Sequence, residues 1–118
     1  MVNENIQIVS STAPRSGARV LQLKGPLGIH TVFQFQDAIR GDSSPVLILD
    51  FSGVPYVDSA GLGAMVGAFV SGQRAQRKVA FASLNTQVTA LVEMTHVNQL
   101  LKPYASVEEA DRALAAAS

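Results

Sequence analysis

The stretch Asp58-Ser59-Ala60-Gly61-Leu62-Gly63 links an apolar strand pattern to a helix pattern. The strand pattern covers residues 45–51 and does not alternate, which is typical of a central strand that is buried on both faces. A turn containing Gly53 and Pro55 separates this strand from the hexapeptide. After the hexapeptide, large apolar residues recur at the spacing of one helix face, namely Leu62, Met65, Val66, Phe69 and Val70. The hexapeptide and the residues around it therefore predict a strand, a turn and a helix, with an exposed serine at the start of the helix.

Strand and helix patterns alternate along the rest of the chain. Strands are predicted at residues 6–10, 19–24, 45–51 and 79–84, with a brief fifth strand at 104–105. Helices are predicted at residues 31–40, from Ser59, from Asn85 or Thr86 to the region before Pro103, and from Ser106 to the C-terminus. An initial hairpin followed by alternating helices and strands predicts an α/β fold. We expect one domain over residues 1–118, with a mixed four- to five-stranded sheet, a parallel centre and about four helices.

Two segments match the capping-box pattern, in which a hydroxyl residue and a Glu or Gln three positions later bond each other's backbone amides. Thr31 and Gln34 give the first match, and Ser106 and Glu109 give the second. Both pairs predict the start of a helix.

The helix after Ser59 also carries a face of small residues, made of Ala60, Ala64, Gly67, Ala68 and Ser71. Gly63 and Gly67 each cost the helix about 1 kcal/mol relative to alanine. Their presence predicts that a neighbouring backbone approaches closely, either within the fold or on a partner.

The composition excludes several classes of function. Nine basic and nine acidic residues give a net charge of zero, which does not favour nucleic-acid binding. The absence of cysteine excludes disulfides and thiolate metal sites. No signal-peptide pattern is visible at Met1, and the apolar run at residues 60–70 is too short to span a bilayer. We therefore expect a cytoplasmic domain without direct membrane insertion, with a protein partner or a small ligand.

The pair Asp58-Ser59 has two compatible interpretations. Asp and Ser are both preferred helix N-caps, so the commoner role is a structural helix start. Ser59 also fits a phosphate acceptor, because a phosphate at a helix N-terminus meets free amides and the positive end of the helix dipole. Such a group would add about −1.5 to −2 charges at neutral pH without breaking the core.

Catalysis has little support in the sequence. A hydrolase serine needs a base and an orienting acid. His30 could lie near Ser59 because both follow strands of a parallel pair, but Ser59 is not in a G-x-S-x-G elbow. Gly61 and Gly63 lack the third glycine of a dinucleotide loop, and no P-loop is present. Two histidines and no cysteine do not favour a transition-metal site, so we predict no catalytic residue, cofactor or metal.

Two other polar residues have structural interpretations. Asp50 ends the central strand and is interpreted as a carboxylate that caps the following turn. His96 lies within the third helix pattern and is interpreted as a surface or half-buried residue.

The hexapeptide and the preceding residues 46–57 resemble the signature region of STAS domains, in particular those of the bacterial anti-sigma factor antagonists. The resemblance extends over nearly the whole chain, including the turn at Gly25 and Leu27 and the closing helix from Ser106. In that family, a partner kinase that also sequesters a sigma factor phosphorylates the serine directly after the aspartate. The unphosphorylated protein binds the kinase and frees the sigma factor, and a PP2C-type phosphatase resets the cycle.

The resemblance implies a single STAS domain over residues 1–118 that regulates transcription by partner switching and is not an enzyme. It implies that Ser59 is the phospho-acceptor and that the anti-sigma factor serine kinase and the phosphatase are the partners. The implied partner surface consists of Asp58, Ser59, Ala60, Gly61, Leu62 and Gly63. The oligomeric state is left open.

The turn before the first helix departs from the family pattern. The antagonists often read Gly-x-Leu-Asp there, with the aspartate near the phosphosite, whereas this chain reads Gly25-Pro26-Leu27-Gly28. The missing carboxylate predicts weakened or different regulation. Together with the small-residue helix face, it motivates a second hypothesis, an accessory STAS subunit of a membrane transport system or other multiprotein complex without sigma control. A serine hydrolase that uses His30 is a third hypothesis.

Overall fold

The sheet grows in chain order from an N-terminal hairpin. The computed structural model describes residues 5–117. Strands β1 (Gln7–Thr12) and β2 (Arg19–Lys24) pair antiparallel, and β3 (Val46–Gly53) and β4 (Lys78–Ala82) then add in parallel. The order across the sheet is β1-β2-β3-β4. The predicted α/β fold is confirmed, and its mixed sheet with a parallel centre has four strands.

Within the described residues, five helices accompany the sheet, one more than the sequence predicts. They are α1 (Val32–Arg40), α2 (Ser59–Arg74), α3 (Thr86–Met94), α4 (Asn98–Leu101) and α5 (Val107–Ala116). Within residues 5–117, no helix has both the length and the apolar character needed to cross a lipid bilayer. The predicted domain also includes residues 1–4 and residue 118, which lie outside the described residues.

The extra helix arises from a break at His96. The sequence predicts one continuous helix from Asn85 or Thr86, but His96 has a φ of 63°, in the left-handed region. The Val97 amide donates to the Val92 carbonyl, and the His96 amide donates to the Glu93 carbonyl, both at 3.1 Å. This pair of bonds is a Schellman helix end, which usually has glycine at the left-handed position. The sequence prediction was wrong here because histidine gives no such signal.

The central strand β3 is buried on both faces, as its unbroken apolar pattern predicts. Leu47, Ile48, Leu49 and Phe51 are fully buried. The larger core cluster contains Phe51, whose ring lies 6.5 Å from the ring of Phe35 on α1 and 5.9 Å from that of Phe81 on β4. This core holds the carboxyl end of β3, and therefore the start of α2, in a fixed place.

The C-terminal segment closes the other face of the sheet. The brief strand predicted at residues 104–105 is reduced to one bridge between Tyr104 and Ala82. At the start of α5, the Ser106 hydroxyl accepts a hydrogen bond from the Glu109 amide at 3.1 Å. The Glu109 carboxylate accepts from the Ala105 amide at 3.0 Å, one residue before the cap. The predicted helix start is thus confirmed, with a reciprocal bond shifted by one residue.

A half-buried arginine in the loop before β4 binds the stretch at residues 39–44, which follows from the end of α1. The Arg77 guanidinium donates to the Ser44 carbonyl at 2.7 Å, to the Ile39 carbonyl at 3.1 Å and to the Asp42 carboxylate at 2.9 Å. The side chains of Arg77 and Asp42 are each 14% exposed. Because these bonds join the end of α1 to the loop before β4, Arg77 fixes the position of α1 on the sheet.

Replacing Arg77 with methionine, which keeps the apolar stem, is expected to lower the free energy of unfolding by about 1–3 kcal/mol. The loss arises because two carbonyls and a carboxylate lose a charged donor in a partly buried place. Urea unfolding measures it. The control is Arg40→Met, since the Arg40–Asp37 pair is 72% and 74% exposed. That change is expected to stay within about 0.5 kcal/mol, and equal effects of the two substitutions would contradict the role of Arg77.

Candidate functional site

Two loops lie side by side at the carboxyl ends of β2 and β3. Because these strands are parallel neighbours, the loop at residues 25–31 and the loop that leads to α2 leave the sheet at the same edge. The Leu27 amide donates to the Tyr56 carbonyl at 3.1 Å, and the Asp58 amide donates to the Leu27 carbonyl at 3.2 Å. These backbone bonds extend the parallel pairing past the strand ends and place the start of α2 against the first loop.

Gly61 is needed for this contact. A Cβ atom at residue 61 would overlap the Leu27 carbonyl oxygen and would lie 3.0 Å from a Val57 methyl carbon. The helix can therefore approach the loop only with glycine at this position. Gly61 is buried, so it belongs to the site as a spacer and presents no side chain to a partner.

The Thr31 hydroxyl holds the first loop instead of capping α1. It accepts a hydrogen bond from the Gly28 amide at 3.0 Å and donates to the Pro26 carbonyl at 2.8 Å. The Gln34 side chain bonds Asn5 and the Ile6 amide, so it does not reach back to Thr31. The predicted capping box was wrong because the loop backbone competes for the threonine hydroxyl.

Asp58 is the N-cap of α2, and its carboxylate joins the two loops. One oxygen accepts from the Gly61 amide at 2.9 Å, and the other accepts from the Ile29 amide at 3.0 Å. The Gly61 hydrogen bond is the main reason that the pKa of Asp58 lies below its ordinary value. Partial burial opposes this, while the Ile29 and Ala60 amides and the nearby His30 lower the pKa further. Asp58 is thus an ionised group held between two chain segments.

Ser59 is the first residue of α2, and it is exposed. Its hydroxyl makes no hydrogen bond to another residue in the part of the chain that the structure describes. Since Asp58 satisfies the helix amide, the cap interpretation applies to Asp58 and leaves the Ser59 hydroxyl accessible. This division of roles is the central feature of the candidate site.

The other residues of the predicted partner surface differ in exposure. Ala60 and Leu62 are half-buried, and Leu62 packs against the core. Gly63 is exposed, and a Cβ atom built there would meet no atom within 4 Å. Within the described chain, the accessible part of the hexapeptide is therefore centred on Ser59 and Gly63.

The small-residue face of α2 faces α1 only in part. Ala64, Ala68 and Ser71 line a shallow groove of about 300 Å³ with Phe35 and Ile39 of α1. Gly67 also borders this groove, but a Cβ atom there would meet nothing within 4 Å, as at Gly63. The prediction of close backbone approach within the fold was therefore wrong for both glycines.

Exposed apolar side chains surround the first loop and were missed by the sequence analysis. Ile29 is 65% exposed, Phe33 is 72% exposed and Tyr56 is 46% exposed. Ile29 lies in the loop before α1, and Phe33 lies four residues later in the first turn of α1. A hydrogen bond from the Ile29 amide links Ile29 to Asp58, and no local sequence pattern reveals this link.

The residues considered for catalysis do not assemble a catalytic set. His30 is exposed and is close enough to influence the pKa of Asp58, but no hydrogen bond joins it to Ser59 among the described residues. Asp50 accepts from the Ser52 amide at 2.9 Å, but both residues lie within β3, which extends to Gly53, so Asp50 does not end the strand as the sequence predicts. His96 is exposed, as a surface interpretation predicts. No group of three or more potential metal ligands occurs within residues 5–117.

Known proteins share this fold. A model of the STAS domain family matches residues 10–110. An anti-sigma factor antagonist from Mycobacterium paratuberculosis aligns with a TM-score of 0.80 at 19% identity, over 92% of this chain and 93% of that chain. The anti-sigma factor antagonist SpoIIAA in its unphosphorylated form aligns with 0.69 at 21% identity, over 91% and 96%. Murine Solute Carrier 26 family member A9, an anion transporter, aligns with 0.77 at 18% identity, over 98% of this chain and 23% of that chain.

Replacing Asp58 with alanine is expected to lower the free energy of unfolding by about 1–2 kcal/mol at pH 7, because the cap and the link to Ile29 are both lost. A carboxyl group whose pKa is lowered in the folded state stabilises the protein above its unfolded pKa of about 3.9. That stabilisation is lost as the pH falls through the folded pKa. The difference between the two proteins should therefore shrink below about pH 4.

Urea unfolding at several pH values measures this difference. Asp37→Ala is the control, since the Asp37 side chain on α1 is 74% exposed, and its effect is expected to stay below about 0.5 kcal/mol. A difference between wild type and Asp58→Ala that grows on acidification would contradict the role of Asp58.

Proposed function

Because the chain belongs to the STAS domain family, we propose that it is an anti-sigma factor antagonist that is switched by phosphorylation of Ser59. In this proposal the unphosphorylated protein binds a serine-kinase anti-sigma factor and releases the sigma factor. Phosphorylation of Ser59 by that kinase ends the interaction. The observation that carries the proposal is the exposed Ser59 hydroxyl at the start of α2, left unengaged because Asp58 caps the helix.

The position of Ser59 suits a reversible modification. A phosphoryl group there would meet the positive end of the helix dipole, so the helix need not unfold. It would place about −1.5 to −2 charges on a surface whose neighbours include exposed apolar side chains. A partner packed against this surface would have to desolvate that charge, so modification disfavours binding without damaging the core.

The proposed kinase-binding surface is centred on Ser59 and Gly63 and extends to the apolar side chains beside them. Ile29 supplies apolar area next to Asp58, and Phe33 lies four residues further along, in the first turn of α1. An exposed aromatic residue such as Phe33 is a frequent anchor of protein interfaces. The two open glycines of α2 lack an intramolecular reason for their cost to the helix, and close approach of a partner would provide one. Ala60, Gly61 and Leu62 then act mainly by shaping the helix start.

The proposed cycle of phosphorylation and dephosphorylation at Ser59 also needs a second enzyme. A PP2C-type phosphatase is the proposed partner that removes the phosphate and restores binding. The protein would act in the cytoplasm, as a binding protein in transcription regulation, and would need no cofactor of its own. One domain over residues 1–118 would suffice for this role.

Incubation with the cognate kinase and ATP is expected to add one phosphoryl group to the wild-type protein and none to Ser59→Ala, because only the wild type has a hydroxyl at the proposed site. Intact-mass spectrometry measures the change. Ser71→Ala is the matched control, since Ser71 is an exposed serine of the same helix, and this variant should still gain the group. A phosphate that persists in Ser59→Ala would contradict the site assignment.

Replacing Phe33 with alanine is expected to weaken kinase binding by about tenfold or more, because an exposed aromatic anchor is lost from the interface. The fold should be unaffected, since Phe33 is 72% exposed. Isothermal titration calorimetry measures the affinity. Met94→Ala is the control, since Met94 is 77% exposed at the far end of α3, and equal losses of affinity for both variants would contradict the proposed surface.

A second candidate function is an accessory STAS subunit of a membrane transport system or other multiprotein complex, without sigma control. The observation that favours it is the alignment of 98% of this chain with part of an anion transporter. Affinity purification from the native host separates the two functions. Recovery of transporter subunits without a kinase would support the second, whereas recovery of a kinase whose binding is lost on Ser59 phosphorylation would support the first.

A further inference from the structure

We infer that the Asp58 carboxylate is a phosphorylation-sensitive clamp, which holds the Ile29 segment against α2 and releases it when Ser59 carries a phosphoryl group. This inference rests on the proposed phosphorylation of Ser59 and concerns how that modification reaches the neighbouring surface. The clamp consists of the two hydrogen bonds that Asp58 accepts, at 2.9 Å from the Gly61 amide and at 3.0 Å from the Ile29 amide.

This clamp requires glycine at residue 28. A Cβ atom at residue 28 would lie 2.5 Å from one Asp58 carboxylate oxygen and 2.8 Å from the carboxylate carbon. Any side chain at this position would therefore move the carboxylate away from the Ile29 amide. Asp58 occupies the space beside Gly28 that the side chain of the family's frequent aspartate would enter. The family pattern often carries both aspartates, whereas this chain keeps the one at residue 58 and has glycine at residue 28.

The clamp controls a small and separable segment. The Thr31 and Val32 amides donate to the Gly28 carbonyl at 2.9 and 2.8 Å, so the turn into α1 is held by its own backbone. The Ile29 amide, in contrast, is held by the side chain of Asp58 from the other loop. Loss of that bond would free Ile29, which is 65% exposed, without unfolding the start of α1.

A phosphoryl group on Ser59 would compete with Asp58 in two ways. It would add about two negative charges to the residue next to the carboxylate, and like charges at this separation repel. It would also be a stronger acceptor for the amides at the start of α2, including the Gly61 amide that now bonds Asp58. Both effects weaken the hold of Asp58 on Ile29, so the modification would alter the apolar surface beside it as well as the charge at Ser59.

The test places phosphoserine at residue 59 during translation, so it needs no kinase. Hydrogen exchange of single amides, followed by NMR, is compared with that of the unmodified protein. The Ile29 amide is expected to exchange about 10- to 100-fold faster in the phosphoserine protein, because it loses one charge-assisted hydrogen bond. The Val32 amide should keep its rate, since its bond to the Gly28 carbonyl remains. A protein with phosphoserine at Ser71 is the matched control and should resemble the unmodified protein.

Two substitutions test the same clamp without phosphate. Gly28→Ala displaces the carboxylate sterically, and Asp58→Ala removes it, so each should accelerate Ile29 exchange to a similar degree while Val32 stays protected. Unchanged Ile29 exchange in the phosphoserine protein would overturn the inference, and so would equal acceleration of Ile29 and Val32. Failure of the kinase to modify Ser59 would instead count against the proposed function, because none of these measurements uses the kinase.

Discussion

One carboxylate, that of Asp58, accepts from a backbone amide at the start of α2 and from one in the loop before α1, and the geometry of the whole site depends on it. A helix start needs acceptors for its free amides, and a loop amide that faces another segment needs one as well. Asp58 meets both needs from a position directly before the proposed phosphosite. The Ser59 hydroxyl is therefore not needed for the cap, and it is exposed at the start of α2.

The parallel pairing of β2 and β3 makes this sharing possible. Both loops leave the sheet at its carboxyl edge, and backbone bonds between Leu27 and residues 56 and 58 continue the pairing beyond the strands. Gly61 then allows α2 to lie directly on the Leu27 carbonyl. The buried core around Phe51 packs beneath the two loops and the start of α2. The sheet therefore holds the site in place, while Ser59 and Gly63 remain accessible.

The succession of strands and helices along the chain and the start of α2 could be predicted because each rests on a local pattern. The unbroken apolar run of β3 and the helical spacing after Ser59 both follow from chain-local periodicity. Features that depend on contacts distant in sequence could not be predicted in this way. Ile29, for example, joins the site through a residue 29 positions away. Two local features were missed for other reasons, since the Thr31 hydroxyl bonds the loop backbone and the helix break at His96 lacks the usual glycine. The small-residue face of α2 gave a wrong prediction of close backbone approach within the fold at Gly63 and Gly67. The residue types on a helix face do not show whether another segment packs against it.

Gly28 illustrates how the meaning of a residue depends on its surroundings. In the sequence, Gly28 stands where related proteins often have an aspartate, so a carboxylate is missing at this position. In the fold, its missing side chain leaves room for the Asp58 carboxylate to reach the Ile29 amide. A negative group remains beside Ser59, since Asp58 caps the helix that carries the serine and is bonded to the loop that lacks the aspartate. A modification of Ser59 would act first on the Asp58 carboxylate. Regulation of the site therefore depends on residues 28 and 58 together and not on residue 28 alone.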